Sequence, residues 1–325
     1  MKRALGPWDG AFIAGLALAC WAAPGPVYLL ALGVFGLPHV LWELAWIRQA
    51  TRGWLGRGWW LALGAILALQ VMARLGSWAG WLGPSLALGM DLLTLGLALG
   101  LVATVRSSLD RDGGNGRMGA LLTRGLAGLL ALALVGAGIA GDAASMLWVV
   151  VVLAMAHNFT PLALVRLAPQ RDRRAERWLL LAFALPLVML AVPMAGAWPV
   201  VAQPQSWWPV EALWVQGVWP GSVQAVFSAL VLAQCLHYHV VLRVMPRLGP
   251  VWTAPGWRTL ALLASALMAA AFAADFTGTR PLYAVAAGLH AWLEWPVLLC
   301  ALVGLGGRES TPGQNQQLAG PGSPL

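Results

Sequence analysis

An all-α, polytopic membrane helix bundle of about ten spans is the fold class predicted by three features of this 325-residue chain. Hydrophobic residues make up 60% of it and charged residues only 10%, against about 25% charged in soluble domains. A soluble globule of this length could not cover its surface with so few charges. The apolar residues gather into runs near the ~20 residues a spanning helix needs. The arginines fall into alternate connections between those runs, the asymmetry that orients membrane helices.

The first expected span, 9–23, is short, and Pro24-Gly25-Pro26 turns the chain directly into the second, 25–48. The next eight are 58–76, 83–106, 118–140, 143–168, 177–199, 221–247, 256–276 and 281–304. Arg48, Arg52 and Arg57 lie between spans two and three, and Arg106, Arg111 and Arg117 lie around the loop between four and five. Arg166, Arg171, Arg173, Arg174 and Arg177 surround the loop between six and seven. Arg243, Arg247 and Arg258 do the same between eight and nine, while Lys2, Arg3 and Arg308 mark the ends. The opposite loops carry almost no Lys or Arg, Arg280 being the exception. This places both termini in the cytoplasm and requires an even number of spans; the expected location is the inner membrane of a prokaryote. Residues 1–305 read as one transmembrane domain. The tail 306–325, rich in Gly, Gln, Ser and Pro, reads as a disordered cytoplasmic segment. The outer connection 200–220 carries Trp207, Trp208, Trp214 and Trp219 and reads as an interfacial anchor rather than a lid.

Several function classes drop out on composition. The net charge of +8 comes from loop arginines, so no nucleic-acid partner is expected. Lys2 is the only lysine, which excludes a Schiff base on an intramembrane amine. Cys20, Cys235 and Cys300 sit in apolar runs without paired spacing, so no disulfide framework is expected. The residues before Cys20 fit a lipoprotein signal poorly, and the N-terminus reads as an anchor helix. No phosphate loop, zinc-protease helix or nucleophile elbow is present. The Gly113-Gly114-Asn115-Gly116 run reads as a cytoplasmic turn.

The chemistry is carried by histidine. Nine residues separate His39 from Arg48 and His157 from Arg166, and ten separate His237 from Arg247, which places these rings ~13–15 Å inside the basic loops. His290 stands nine residues beyond Pro281, also near mid-membrane. Ionisable residues are costly at that depth and mark function, and imidazole is the commonest metal ligand. His39, His157, His237 and His290 are therefore the candidate ligands. Glu43 and Glu294 follow His39 and His290 by four residues and share their helical faces. Each glutamate could orient a ligand, bind metal directly or move protons. His239 is two residues from His237 and points away from it, so it is given a supporting role, with Gln234, Asn158 and Asp91. Gln70 and Gln224 are weaker candidates. Asp142 and Asp275 are expected at solvated outer ends.

Gly36-Leu37-Pro38-His39-Val40-Leu41-Trp42-Glu43 resembles the Pro-His-Gly-x-x-Asp signature of the Brp/Blh family of bacterial and archaeal membrane β-carotene 15,15'-dioxygenases. The resemblance implies a multi-helix membrane fold, non-haem iron held by histidines, and cleavage of a polyene by O₂ to retinal. His39 matches the family's first ligand and Glu43 stands where the family has Asp; Val40 replaces its glycine.

Four readings follow for the centre. The first is a non-haem-iron oxygenase that takes a lipophilic substrate and O₂ from among membrane lipids. The others are a haem-binding electron carrier, a His/Glu-based ion or proton transporter, and a structural protein with histidines as interhelical glue. The sequence fixes no oligomeric state.

Overall fold

The computed structural model describes residues 6–51, 55–105, 115–168, 172–191, 223–248 and 255–304, and its described elements are helical. Helix α1 spans Pro7–Ala22, α2 Pro24–Ala50 and α3 Arg57–Trp78. Helix α4 is Pro84–Gly100 and α5 Asn115–Ala140. Helix α6 is Ala143–His157, α7 Thr160–Leu167 and α8 Arg173–Ala191. Helix α9 is Val223–His239, α10 Pro255–Ala274 and α11 Phe276–Gly304. Prolines open α1, α2, α4 and α7, where a missing N–H costs nothing.

Among the described residues, seven helices are long and apolar enough to cross a membrane: Pro24–Gln49, Arg57–Trp78, Pro84–Thr104, Met118–Ala140, Ala225–Leu248, Gly256–Ala274 and Phe276–Leu302. These account for seven of the ten expected spans. The first expected span is the shorter apolar helix Trp8–Ala22. The expected span 177–199 begins earlier, at Arg173, and its helix opens on Arg173, Arg174, Glu176 and Arg177 before the apolar stretch to Ala191. Residues 192–199, the tryptophan-rich connection 200–220 and the tail from 306 lie outside the described residues.

One expected span is corrected. Residues 143–168 do not form a single rod: the chain breaks at Asn158–Phe159, between α6 and α7. Pro161 is the cause, since it has no N–H to give the His157 carbonyl and its ring clashes with a helical carbonyl four residues back. The Thr160 hydroxyl takes that place, donating to the His157 carbonyl at 2.7 Å. Two smaller differences concern ends. Asn115 and Gly116 of the expected glycine turn open α5, while Gly113 and Gly114 lie outside the described residues. Helix α11 starts at Phe276, so Pro281 sits inside it. Helix α9 continues through a π-helical turn, Val240–Val244, into Met245–Leu248.

Two large apolar clusters hold the bundle, with a small third one around Val102, Ala120, Ala127 and Cys300. One joins α1, α2 and α7–α11 around Leu32, Ile47, Leu164, Phe183, Phe227 and Leu232. The other joins α3–α6 to α11 around Leu63, Leu67, Leu92, Leu95, Leu134 and Trp292. Helix α11 belongs to both and forms the wall between them. Glycines bring α4 and α5 together: a Cβ at Gly89 would lie 2.7 Å from the Gly138 carbonyl oxygen, and one at Gly96 would lie 2.9 Å from that of Ala131. Such close backbone approach is the use of small residues in lipid. Leu61, Leu129, Leu132 and Leu267 face outward, 63–72% exposed, as lipid-facing side chains do. At one end of the bundle the start of α1 meets the end of α9, where Arg243 Nε donates to Asp9 Oδ1 at 2.8 Å. The N-terminal region and the Arg243–Arg247 segment therefore share one side, as the arginine distribution requires.

Candidate metal centre

Four helices deliver one histidine each to a single buried point. His39 comes from the middle of α2, His157 is the last residue of α6, His237 lies two residues before the end of α9, and His290 is at the middle of α11. All four are buried, and Glu43 and Glu294 are 0% exposed. Ring centroids stand 4.9 Å apart for His39 and His290, 4.7 Å for His157 and His290, 4.8 Å for His157 and His237, and 5.2 Å for His39 and His237. The expected convergence is therefore present.

Their Nε2 atoms do the facing. His290 Nε2 is 3.3 Å from His39 Nε2 and 3.0 Å from His157 Nε2. Glu43 Oε2 is 3.1 Å from His237 Nε2 and 3.8 Å from His290 Nε2. The ligand atoms of His39, Glu43, His237 and His290 all lie within 4.8 Å of one another. Donors ~2.1 Å from a shared ion stand ~3.0 Å apart at right angles and ~3.4 Å apart at tetrahedral angles. Within this group the 3.3 Å and 3.1 Å separations match such edges and the 3.8 Å one is wider, and the group could hold a metal ion.

Hydrogen bonding by itself does not satisfy the arrangement. His39 Nδ1 is 3.2 Å from the Phe35 carbonyl oxygen, a pure acceptor, so Nδ1 carries the proton and Nε2 the lone pair. His157 Nδ1 is 2.8 Å from Glu294 Oε2, also an acceptor. His39 thus turns a lone pair towards His290 Nε2, and His157 Nε2 faces the same nitrogen, which has one hydrogen to offer at most. The carboxyl groups of Glu43 and Glu294 face each other, and Glu43 Oε1 and Glu294 Oε1 are buried without a hydrogen-bond partner. A buried acceptor left unpaired costs ~1–3 kcal/mol, more when charged. A cation bound among these groups would relieve both conflicts.

The two His-x-x-x-Glu segments take different parts. Glu43 points Oε2 at His237 and His290, among the ligand atoms. Glu294 Oε2 stands 2.8 Å from His157 Nδ1 and accepts a hydrogen bond from Thr160 Oγ1 at 2.6 Å. Glu294 is thus the carboxylate that holds the far nitrogen of a candidate ligand, the usual arrangement behind metal-bound imidazole. His157 touches His237 and His290 but falls outside the tightest group of four.

The supporting residues separate in the same way. His239 turns from the centre: its Nε2 is 3.4 Å from Asp9 Oδ1 and its ring stacks on Phe12 at 4.9 Å. Gln234 donates to Tyr238 Oη at 2.5 Å rather than to His237. The Asn158 amide donates to the Ala154 carbonyl at 3.2 Å, and its backbone lies against the His237 ring. Asp91 does not join the centre; it pairs with Arg74 of the neighbouring α3, at 2.9 Å for both oxygens. Gln70 is 0% exposed and neither of its amide atoms has a hydrogen-bond partner. The Gln224 side chain lies outside the described residues. Asp142 and Asp275 are exposed and cap helix starts, accepting from Ser145 N and Gly278 N at 3.0 Å.

Three further residues build the surroundings without a sequence motif. Thr160 reaches Glu294 because Pro161 breaks the chain there. The Tyr238 ring lies 4.0 Å from that of His39. Its hydroxyl is 3.2 Å from Tyr283 Oη, and Gly36 makes the room: a Cβ there would be 3.0 Å from the Tyr283 ring. The only sequence signals were Pro161, four residues after His157, and Gly36, three before His39.

No protein-family model matches the chain, and neither a curated protein nor a solved structure is significantly similar to it.

Proposed function

We propose that this chain is a non-haem-iron membrane oxygenase acting on a lipophilic substrate, with oxidative cleavage of a carotenoid such as β-carotene to retinal as the specific reaction. The observation that carries the reading is the convergence of one ligand atom each from His39, Glu43, His237 and His290 within 4.8 Å. Two histidines and a carboxylate with open positions are the donor set of non-haem iron(II) oxygenases, and the group contains that set plus one histidine. The resemblance of Gly36–Glu43 to the Brp/Blh signature supports the same class and supplies the polyene. The crowding of Nε2 atoms at 3.0 and 3.3 Å speaks against haem, because axial imidazoles lie on opposite faces of a macrocycle.

Bound iron would supply the activation of O₂. The chain supplies the rest. The Phe35 carbonyl holds the Nδ1 proton of His39, which keeps its Nε2 lone pair turned inward, and Glu294 Oε2 stands 2.8 Å from His157 Nδ1. Glu43 supplies the anionic donor. Complete burial of both carboxylates keeps bulk water from the reacting polyene. In the cell, the bundle is placed in the inner membrane with both termini cytoplasmic, so the substrate arrives from lipid.

The test is metal analysis and an optical spectrum of gently extracted protein, followed by O₂ uptake with β-carotene. About one non-haem iron per chain and polyene-dependent O₂ consumption are expected. Protein that takes up no iron, or shows a Soret band, overturns the reading.

A further inference from the structure

We propose that Thr160 is a positioning residue of the metal centre, setting the His157 ligand through Glu294; this rests on the centre holding a metal. Thr160 opens α7, immediately after the break that Pro161 forces, and is 4% exposed. Its hydroxyl has two acceptors within reach, the His157 carbonyl at 2.7 Å and Glu294 Oε2 at 2.6 Å. One hydroxyl hydrogen serves one of them fully at a time. The same side chain therefore fixes His157 from both ends: the backbone through its carbonyl, and the imidazole through Glu294, whose Oε2 is 2.8 Å from His157 Nδ1. The contacts form a closed loop of three residues from two helix segments and α11.

The loop explains why the break falls where it does. An unbroken helix would give the His157 carbonyl an ordinary backbone donor and would carry residue 160 onward around the α6 axis. The proline removes that donor, and a hydroxyl at 160 replaces it while reaching a glutamate 134 positions away in sequence. Serine would preserve the contact. Valine, of nearly the same shape, would lose it and leave Glu294 with one donor fewer, free to turn from His157.

Partners of this outer kind change metal affinity ~10–100-fold when removed. The experiment is a double-mutant cycle on the full chain in detergent, titrating iron(II) into metal-stripped protein and recording the spectrum of the loaded centre. Thr160→Val is expected to weaken binding ~10–100-fold and shift the spectrum, with Thr160→Ser close to wild type. In a Glu294→Gln background the same Thr160→Val change is expected to have less than about a quarter of that logarithmic effect, because the path runs through the carboxylate. Wild-type affinity in Thr160→Val overturns the proposal. So does an undiminished effect in the Glu294→Gln background, which would make Thr160 only a cap for α6. If Thr160→Val does not fold, Thr160→Ala in the same cycle decides between those outcomes. A wild-type chain that takes up no metal removes the centre itself, and Thr160's part with it.

Discussion

Two polar clusters inside the bundle sit on opposite sides of α11, and they are built on different principles. On one side Arg74 meets Asp91 with two bonds of 2.9 Å, donates to the Ala284 carbonyl at 2.7 Å and lies over the Trp292 ring at 5.7 Å. Trp292 Nε1 donates to the Asp91 carbonyl at 2.9 Å. Gly288 clears the space, since a Cβ there would come within 2.5 Å of the guanidinium. Charges and donors balance, and the cluster is closed. On the other side four imidazoles and two carboxylates crowd together with orphaned oxygens and competing lone pairs. That cluster could be closed by a bound metal ion. A paired charge inside lipid is architecture; an unbalanced acceptor set is a candidate binding site.

Breaking the closed cluster gives the largest expected effect. Arg74→Ala strands Asp91, and losing one partner of a buried pair costs ~3–5 kcal/mol. Thermal unfolding in detergent should show a strong drop, or no folded protein, while whatever folds keeps its metal per chain. Metal loss with normal stability would erase the distinction between the two sides.

Next comes His290→Ala, with the opposite signature. It should abolish metal uptake and leave the metal-free melting temperature near that of metal-free wild type. Wild type should gain stability on loading, ~2.7 kcal/mol at a hundredfold excess over the dissociation constant, and the variant none. His239→Ala should keep both uptake and that gain, because His239 faces Asp9.

The two glutamates sharpen the contrast within the site. Glu43→Gln removes a candidate ligand atom, whereas Glu294→Gln removes the support of one. Iron titration should rank them, with Glu294→Gln weakened ~10–100-fold and Glu43→Gln weaker still. The reverse order would exchange their parts.

The smallest effect is at the exposed rim. The Gly278 N–H, and then the Thr277 hydroxyl, hold the Asp275 carboxyl below its ordinary value. A depressed carboxylate contributes stability above its unfolded value, and that contribution is lost as pH falls through the folded value. Melting curves taken down to about pH 3 should show Asp275→Asn losing slightly less stability than wild type, with the metal centre unaffected.

Much of this was legible in the chain. The run lengths give the seven long helices, because lipid admits few other solutions for an apolar backbone. The common depth of four histidines follows from their spacing to arginine, and the inward choice of His237 over His239 follows from helical geometry. Arg74 was not legible: loop arginines orient the helices, and one inside an apolar run reads as noise until its partner is known. The α6–α7 break was signalled by Pro161 but looks in sequence like any membrane proline, as Pro38 and Pro296 do without breaking α2 or α11.

The sequence by itself determined which residues lie in the bundle and how deep, because hydropathy and helical rise are properties of each segment alone. Only the tertiary structure decided that α2, α6, α9 and α11 are neighbours, that Asp91 belongs to Arg74, and that two His-x-x-x-Glu segments place one glutamate against His237 and His290 and the other against His157. Those outcomes depend on the rotation and contact of separate helices, and no single helix carries that information.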